Sequence, residues 1–540
     1  MQAISGISRR AATSFGIVFL ASTTLLAGCG SSDSSSSGNT SSNALPSVQQ
    51  LTATCSSLNG QTLGDVTVTA TKRIEAVPNV STAGFCQVSG TRAPYLDIEV
   101  DVPDNWSGRL FHQGGGGFDG RIPSAITTDS SGAITALNPM LAVKNGVYAG
   151  SNGGNRASVP TEAAPLVWAS GTAAGQQSAT DYDYAALGTT ITFAKAVTKA
   201  FFGAAPKYSY FNGCSNGGRN AYIAAQRWPD QYDGIVAGCE TENMTTAVMA
   251  LLNVASKLGT PSALTAAQYQ AAYASAVTSC DAQDGVSDGY LANPASCNYD
   301  PALLQCGLST ANSDPTLCLS AAQVGTLKGL LSPLNLPDGT LLYSAYHWTD
   351  FSQFIPTGGY GGLGGGFALL ATGNPLWLTP VQQAAFDLQT DYPLIGYGLQ
   401  TAGADHDKAA IASYVASGKK LISWHDNGDT LLSAADHYRN DQMMIQLAEA
   451  DGVTDPTTNT RFFLVPGNAH GAGGDLSQID WISSIVSWVE DGTAPTQLTY
   501  SFTQTGSTTP RSLPVCLYPQ YPKYKGSGDV SAAASYTCTN

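Results

Sequence analysis

Ser215 lies in Tyr208-Ser209-Tyr210-Phe211-Asn212-Gly213-Cys214-Ser215-Asn216-Gly217-Gly218-Arg219, an apolar aromatic run that breaks into a serine flanked by glycines. Gly213-x-Ser215-x-Gly217 has the spacing of a nucleophile elbow, where a strand turns into a helix so sharply that the serine holds strained backbone angles. Side chains two residues away on either side would collide across that turn, so glycine is a steric requirement there. A serine so presented does covalent acyl chemistry when a base takes its proton and an acid steadies the base. In this class of site the partners follow in the order Ser, Asp, His. The alternative is a Gly/Ser turn between strand and helix with no chemistry.

The chain has six histidines: His112, His347, His406, His425, His437 and His470. Lys420-Leu421-Ile422-Ser423-Trp424 reads as a strand running into the polar turn His425-Asp426-Asn427-Gly428-Asp429. Arg461-Phe462-Phe463-Leu464-Val465 reads as another, followed by a loop carrying His470. Catalytic groups of open α/β sheets gather at the carboxyl ends of strands. His470 alone follows both Ser215 and a strand-end aspartate, which makes it the candidate base. Asp429 is favoured over Asp426 as the acid, because the longer turn lets its carboxylate reach back to the ring. His425 is expected to hydrogen-bond in the site wall, and Asp405-His406-Asp407 reads as a solvated loop before a helix at Ala409–Val415 rather than a metal site. Upstream, Arg109-Leu110-Phe111-His112-Gln113 opens into Gly114-Gly115-Gly116-Gly117. Bare N–H groups of such a loop, Gly115 and Gly116 being the candidates, would bind a developing oxyanion together with the N–H of Asn216.

Strand-like runs at 97–102, 110–113, 146–150, 208–212, 234–238, 420–424 and 462–465 alternate with helical stretches such as 185–202 and 479–490, the pattern of a mostly parallel sheet. Between about 240 and 405 the pattern changes to Ala-rich helices, short Cys-closed loops and Gly358-Gly359-Tyr360-Gly361-Gly362-Leu363-Gly364-Gly365-Gly366, which reads as a mobile or substrate-edge loop.

Gly213-Cys214-Ser215-x-Gly217-Gly218-Arg219, Gln226-Arg227-Trp228-Pro229 and Tyr232-Asp233-Gly234-Ile235-Val236-Ala237-Gly238 together resemble the tannase/feruloyl esterase family. Asp104-Asn105-Trp106-Ser107-Gly108-Arg109 before the glycine loop and Val465-Pro466-Gly467 before His470 belong to the same pattern. The resemblance covers roughly residues 50 to 540. It implies an α/β-hydrolase fold, a doubly wound sheet interrupted by a large lid, and a Ser215–Asp429–His470 triad acting on phenolic or other aromatic acid esters: feruloyl, galloyl or terephthalate monoesters. Residues 49–239 would hold the elbow, 240–405 the lid and 406–540 the acid, the histidine and a disulfide-closed flap. Lid aromatics (Tyr343, Tyr346, Trp348, Phe351, Phe354, Tyr360, Phe367 and Trp377) are candidates to line the pocket, most of them serving as core. An esterase of aliphatic hydroxyalkanoate oligomers is one alternative, and a surface-anchored, calcium-stabilised binding protein with a dead site is another.

In that family the cysteine before the serine usually bonds to a cysteine just after the histidine. Here Gly471 follows His470, and Cys239 stands at the end of the next strand. Adjacent strands lie about 4.8 Å apart, within disulfide reach, so Cys214–Cys239 is a replacement staple or else two free buried thiols. Sequence proximity pairs Cys55–Cys86, Cys280–Cys297, Cys306–Cys318 and Cys516–Cys538. In the lid, Asp281-Ala282-Gln283-Asp284-Gly285-Val286-Ser287-Asp288-Gly289-Tyr290 crowds hard oxygen ligands on a short loop, which favours Ca²⁺. It lacks the closing Glu of an EF-hand. The family carries a similar loop as a structural calcium site, which implies side-chain ligation by Asp281, Asp284 and Asp288 and carbonyl ligation by Val286 and Tyr290. A solvated acidic turn is the alternative.

Residues 1–28 carry Arg9 and Arg10 before an apolar run too short to span a bilayer, as a signal peptide does. Leu26-Ala27-Gly28-Cys29 resembles a lipobox, which would lipidate Cys29, and the Ser-rich stretch over 29–48 would be a flexible tether. Cleavage and release is the alternative. Removing Cys29 from the 11 cysteines leaves an even set, suited to an oxidising compartment. The net charge of −15 argues against nucleic acid or anionic membrane surfaces as partners. The expectation is an exported monomer that takes a small or oligomeric ester and touches a membrane only through a lipid anchor.

Overall fold

The structure, a computed structural model, describes residues 45–540 except 241–242, 354–357, 468 and 504–507. The expected leader, Cys29 and most of the expected tether therefore lie outside the described residues. In chain order the strands that frame the site are β1 (Thr62–Leu63), β2 (Val66–Ile74), β3 (Phe85–Arg92), β4 (Leu96–Pro103), β5 (Arg109–Gln113), β6 (Val147–Ser151), β7 (Tyr208–Cys214), β8 (Gly234–Gly238), β9 (Lys420–Asp426), β10 (Thr460–Val465), β11 (Gln497–Thr503) and β12 (Pro510–Leu517). They form one sheet of 12 strands in the order β1-β2-β3-β4-β6-β5-β7-β8-β9-β10-β12-β11. From β6 to β10 every neighbouring pair is parallel, and both flanks are antiparallel. The parallel centre matches the strand–helix alternation of the sequence. The amino-terminal meander β1–β3 and the carboxyl-terminal pair β11–β12 were not legible there.

The principal helices are α1 (Ala186–Phe202), α2 (Asn216–Arg227), α3 (Met244–Ala255), α4 (Gly359–Thr372), α5 (Lys408–Ala416), α6 (Ala434–Ala450) and α7 (Trp481–Asp491). Successive residues of the central strands point to opposite faces, and each face has its own core. Phe211, Ile235 and Leu421 pack with Ile191 of α1, Ile223 of α2, Tyr414 of α5 and Met444 of α6. Tyr210, Val236 and Ile422 pack with Trp481, Ile482 and Ile485 of α7. Helices on both faces explain why the central strands read as continuous apolar runs rather than alternating ones.

The chain between β8 and β9 corrects one expectation. The glycine-rich run at 358–366 is no loop: it forms the first turns of α4. Glycine inside a helix costs about 1 kcal/mol relative to alanine, and close packing is the reason for it here. A Cβ on Gly361, Gly365 or Gly366 would lie 2.3 Å from Gln383 Oε1, 2.2 Å from the Trp377 carbonyl oxygen and 2.3 Å from the Phe118 ring, respectively. A Cβ on Gly364 would lie 3.2 Å from Leu251 of α3. The absence of side chains lets α4 settle against α3 and the glycine loop after β5.

Candidate active site

At the end of β7 the backbone turns at Ser215 with φ 60° and ψ −125°, and α2 begins at the next residue. The steric demand on the flanking glycines is visible in the geometry. A Cβ on Gly213 would lie 2.3 Å from the Gly217 carbonyl oxygen, and one on Gly217 would lie 2.6 Å from that of Gly115. The latter contact also seats the glycine loop on the elbow. The Ser215 N–H donates to the Gly238 carbonyl at 3.0 Å, which ties the turn to β8.

Three strand ends converge here. Oγ of Ser215 lies 2.9 Å from Nε2 of His470, and Nδ1 of His470 lies 2.7 Å from Oδ2 of Asp429. Asp429 is buried, and its other oxygen accepts the N–H groups of Leu431 at 2.7 Å and Leu432 at 2.9 Å. Burial pushes its carboxyl up, but the facing His470 and His425 rings outweigh burial and hold it well below the usual carboxylate range. Burial pushes the His470 imidazole down, yet the charge and hydrogen bond of Asp429 leave it above its ordinary value. A hydroxyl on an imidazole whose far nitrogen meets a buried carboxylate is the arrangement that makes serine a nucleophile.

Asp426, the rival acid, does something else. Its two oxygens accept the N–H groups of Gly471 and Gly473 at 2.9 Å each, so it grips the loop that carries His470. Gly471 stands where a cysteine would face Cys214, its built Cβ being 3.6 Å from that sulfur. Cys214 instead bonds to Cys239, with Cα atoms 5.3 Å apart, because β7 and β8 run in parallel with Cys214 beside Gly238. The covalent staple braces the elbow, and the histidine loop is held by a carboxylate. The other four disulfides join Cys55–Cys86, Cys280–Cys297, Cys306–Cys318 and Cys516–Cys538.

The remaining histidines have other work. His425 lies 3.1 Å from Asp429 Oδ2 through Nε2 and 2.8 Å from His437 through Nδ1, in the site wall as expected. His437 continues to the Tyr222 hydroxyl at 2.9 Å, a buried chain that the sequence did not reveal. His112 meets the Tyr232 hydroxyl, and His347 meets Asn427. His406 is buried rather than solvated, with Nε2 3.0 Å from the Arg219 carbonyl, while Asp405 accepts from the Thr245 N–H at the start of α3. That polar triplet packs the helix after the elbow against the lid.

A cavity of about 240 Å³ opens beside Ser215 and His470. Its wall is made by Met244, Ala247 and Leu251 of α3, Leu363 and Phe367 of α4, and Leu431 and Leu432 just after Asp429. Gly117, Asn216 and Arg219 complete it. Of the glycine loop, then, it is Gly117 that borders the cavity. Gly115 packs on the elbow, and no atom approaches a Cβ built on Gly116 within 4 Å. Among the described members of the aromatic set expected to line the pocket, only Phe367 reaches the cavity. Tyr343, Tyr346, Trp348, Phe351 and Tyr360 belong to a separate lid core, and Trp377 packs behind Phe367. Phe354 lies outside the described residues. Sequence patterning missed Met244, Leu251, Leu431 and Leu432, since an apolar residue on a helix or turn looks alike whether it lines a core or a cavity.

The acidic loop at 281–290 touches the segment that leads to His470. The Tyr290 hydroxyl donates to the Pro466 carbonyl, and its ring fills the space a Gly467 side chain would need. Asp281 accepts the N–H groups of Gly289 and Tyr290, and Asp288 pairs with Arg511 at 2.5 Å. Burial, with the neighbouring Asp288 and Asp281 charges, pushes the Asp284 carboxyl up to about 7. Oδ1 of Asp288 is buried without a hydrogen-bond partner among the described residues. Among those residues no three His, Cys, Asp or Glu side chains converge to hold a metal ion. The unpartnered oxygen and the mutual repulsion of three carboxylates nevertheless fit a hard cation completed by carbonyl ligands.

A mostly parallel sheet with helices on both faces and a serine elbow at its carboxyl edge defines an α/β-hydrolase. The chain belongs to the tannase and feruloyl esterase family, whose model, described as Tannase and feruloyl esterase, matches residues 78–358 and 401–539. It is 30% identical over 568 residues to an uncharacterized esterase of Xanthomonas campestris pv. campestris, covering 92% of this chain and 93% of the relative. It is 29% identical over 550 residues to the mono(2-hydroxyethyl) terephthalate hydrolase of Piscinibacter sakaiensis, covering 86% and 87%. The crystal structure of feruloyl esterase B from Aspergillus oryzae superposes with a TM-score of 0.74 at 22% identity, covering 91% of this chain and all 100% of that one, which speaks to the fold. The protein is a carboxylic ester hydrolase.

Proposed function

We propose that this esterase hydrolyses esters of aromatic acids, the class that includes feruloyl and galloyl esters, through an acyl-enzyme on Ser215. The observation that carries the reading is the continuous chain Ser215–His470–Asp429 at 2.9 Å and 2.7 Å beside an apolar cavity. Ser215 Oγ attacks the ester carbonyl carbon as Nε2 of His470 takes its proton, and Asp429 steadies the imidazolium through Nδ1–H. The backbone N–H of Asn216 and those of the glycine loop at 114–117 receive the oxyanion; losing one such donor costs roughly a hundred- to a thousandfold in rate. His470 then protonates the departing alcohol, and a water activated by the same ring releases the acid. Turnover of 4-nitrophenyl butyrate, and its loss in Ser215→Ala, tests the assignment; a Ser215→Ala variant with wild-type turnover would refute it.

A second reading, hydrolysis of terephthalate-type monoesters on the same triad, is favoured by the relative from Piscinibacter sakaiensis. A free carboxylate is best gripped by a bidentate arginine fork, and the guanidinium of Arg219, the arginine at the cavity, already donates to Asn216 and to the carbonyls of Tyr182 and Asp183.

Further parts of the proposal concern the rest of the chain. Residues 240–405 act as a lid. Ca²⁺ bound by Asp281, Asp284 and Asp288 with the carbonyls of Val286 and Tyr290 neutralises that loop and takes no part in the chemistry. The enzyme is an exported monomer tethered by a lipid on Cys29, or else secreted. Five disulfides suit an oxidising compartment.

A further inference from the structure

The cavity beside Ser215 has a chemical preference of its own. Its wall over Met244, Leu251, Leu363, Phe367, Leu431 and Leu432 is hydrocarbon and thioether. At about 240 Å³ it falls below the roughly 300–1,000 Å³ typical of drug-sized ligands, so a single ring with a short arm fills it. Apart from Ser215 and His470, the polar side chains of its wall already have partners within the protein. The Asn216 amide donates to Asp119 at 2.9 Å and accepts from Arg219 Nε at 2.9 Å. The remaining Arg219 nitrogens donate to Tyr182 O at 2.7 Å and Asp183 O at 3.0 Å. The backbone of the Leu431–Leu432 wall is spent too: both N–H groups go to Asp429, and the carbonyls accept from Tyr346 at 2.9 Å and His425 at 3.3 Å. The lid phenols point elsewhere, Tyr343 to Ser433 and Tyr360 to Thr430.

A ring hydroxyl entering such a cavity away from Ser215 and His470 leaves water and meets, among the described residues, a wall whose polar side chains are already partnered. Burying it without a hydrogen bond is unfavourable, whereas a methyl group of the same size gains from the transfer. We propose that this site selects aromatic acid esters with unhydroxylated or alkyl-substituted rings over their ring-hydroxylated counterparts, with Leu363 in the wall that sets the preference. The proposal rests on the aromatic-ester reading and narrows it: within aromatic esters, apolar acids are favoured over ring-hydroxylated ones of the feruloyl and galloyl type.

An isosteric pair tests it on the full-length protein. Methyl 3-methylcinnamate and methyl 3-hydroxycinnamate differ only in CH₃ against OH, and the meta position keeps the hydroxyl out of conjugation with the ester. Their alkaline hydrolysis rates correct for intrinsic reactivity. The expected kcat/KM ratio favours the methyl compound by roughly 10- to 100-fold, the scale on which a pocket separates groups of like size and different polarity. Leu363→Gln, at a half-buried position, supplies a partner and should shrink that ratio at least threefold, whatever its effect on absolute turnover. A wild-type ratio of one or below overturns the proposal whether or not the variant folds. An unchanged ratio in a folded, active Leu363→Gln overturns the role given to Leu363. Turnover of 4-nitrophenyl butyrate with neither methyl ester hydrolysed would instead sink the aromatic-ester reading on which the proposal rests.

Discussion

Asp426 and Asp429 lie three residues apart, both buried and both touching the segment that carries His470, and replacing each by alanine should separate their roles. Asp429→Ala removes the carboxylate 2.7 Å from His470 Nδ1, leaving the imidazolium of the transition state without its counter-charge. Serine triads that lose their acid drop roughly ten-thousandfold in kcat, less than the loss expected for Ser215→Ala or His470→Ala. Asp426→Ala instead strips the acceptor from the Gly471 and Gly473 N–H groups. Each orphaned buried donor costs about 1–3 kcal/mol, so the pair sets an upper range of about 2–6 kcal/mol. The wild-type carboxylate is itself disfavoured, because burial and the nearby Asp429 charge push it well above the usual carboxylate range. The net loss therefore falls near the lower end, about 2 kcal/mol. The assay is kcat/KM on 4-nitrophenyl butyrate beside the thermal midpoint. Asp429→Ala should be almost inactive, and Asp426→Ala less stable but within about a hundredfold of wild-type turnover. An inactive Asp426→Ala beside a fully active Asp429→Ala would show that the acid has been assigned to the wrong residue.

Three further outcomes follow from the same geometry. His470 must be neutral to accept the serine proton, and Asp429 raises its pKa, so the acidic limb of kcat/KM against pH should fall above the ordinary histidine value of about 6.5. In Asp429→Asn the limb should move down; an unmoved limb would mean that another group titrates. With its folded carboxyl pushed up to about 7, Asp284 binds its proton more tightly folded than unfolded, so its contribution to stability is present at low pH and is lost as pH rises towards 7. Chelating calcium at neutral pH should therefore lower the melting temperature, and Asp284→Asn should abolish that response; a melting curve indifferent to chelator in the wild type would remove the calcium site. Finally, methyl benzoate-type neutral esters should exceed terephthalate monoesters of matched size in kcat/KM, and a clear preference for the carboxylate would point to a cation other than the engaged Arg219.

The local rules of the chain were enough to name three candidate groups that the fold brings within hydrogen-bond distance of one another. Gly213, Ser215 and Gly217 announce the elbow because no other residues fit the turn, and the order of Ser215, Asp429 and His470 follows from strands that end in polar loops. The parallel centre of the sheet was legible for the same reason: buried strands alternating with helices carry their own periodicity. What the sequence left undecided depends on neighbours distant along the chain. Whether the glycines at 358–366 form a loop or a helix turned on Phe118, Trp377 and Leu251 pressing against them. Whether Asp426 or Asp429 meets His470 was a matter of which carboxylate faces Nδ1 and which faces two backbone N–H groups, a difference of direction and not of residue type. The cavity is the clearest case. Its leucines and methionine read as core in one dimension, and only the packing of α3, α4 and the turn after Asp429 around Ser215 leaves a space between them. Sequence names the candidate groups because residue type and turn geometry are local; the shape of the cavity beside them is made by tertiary contacts alone.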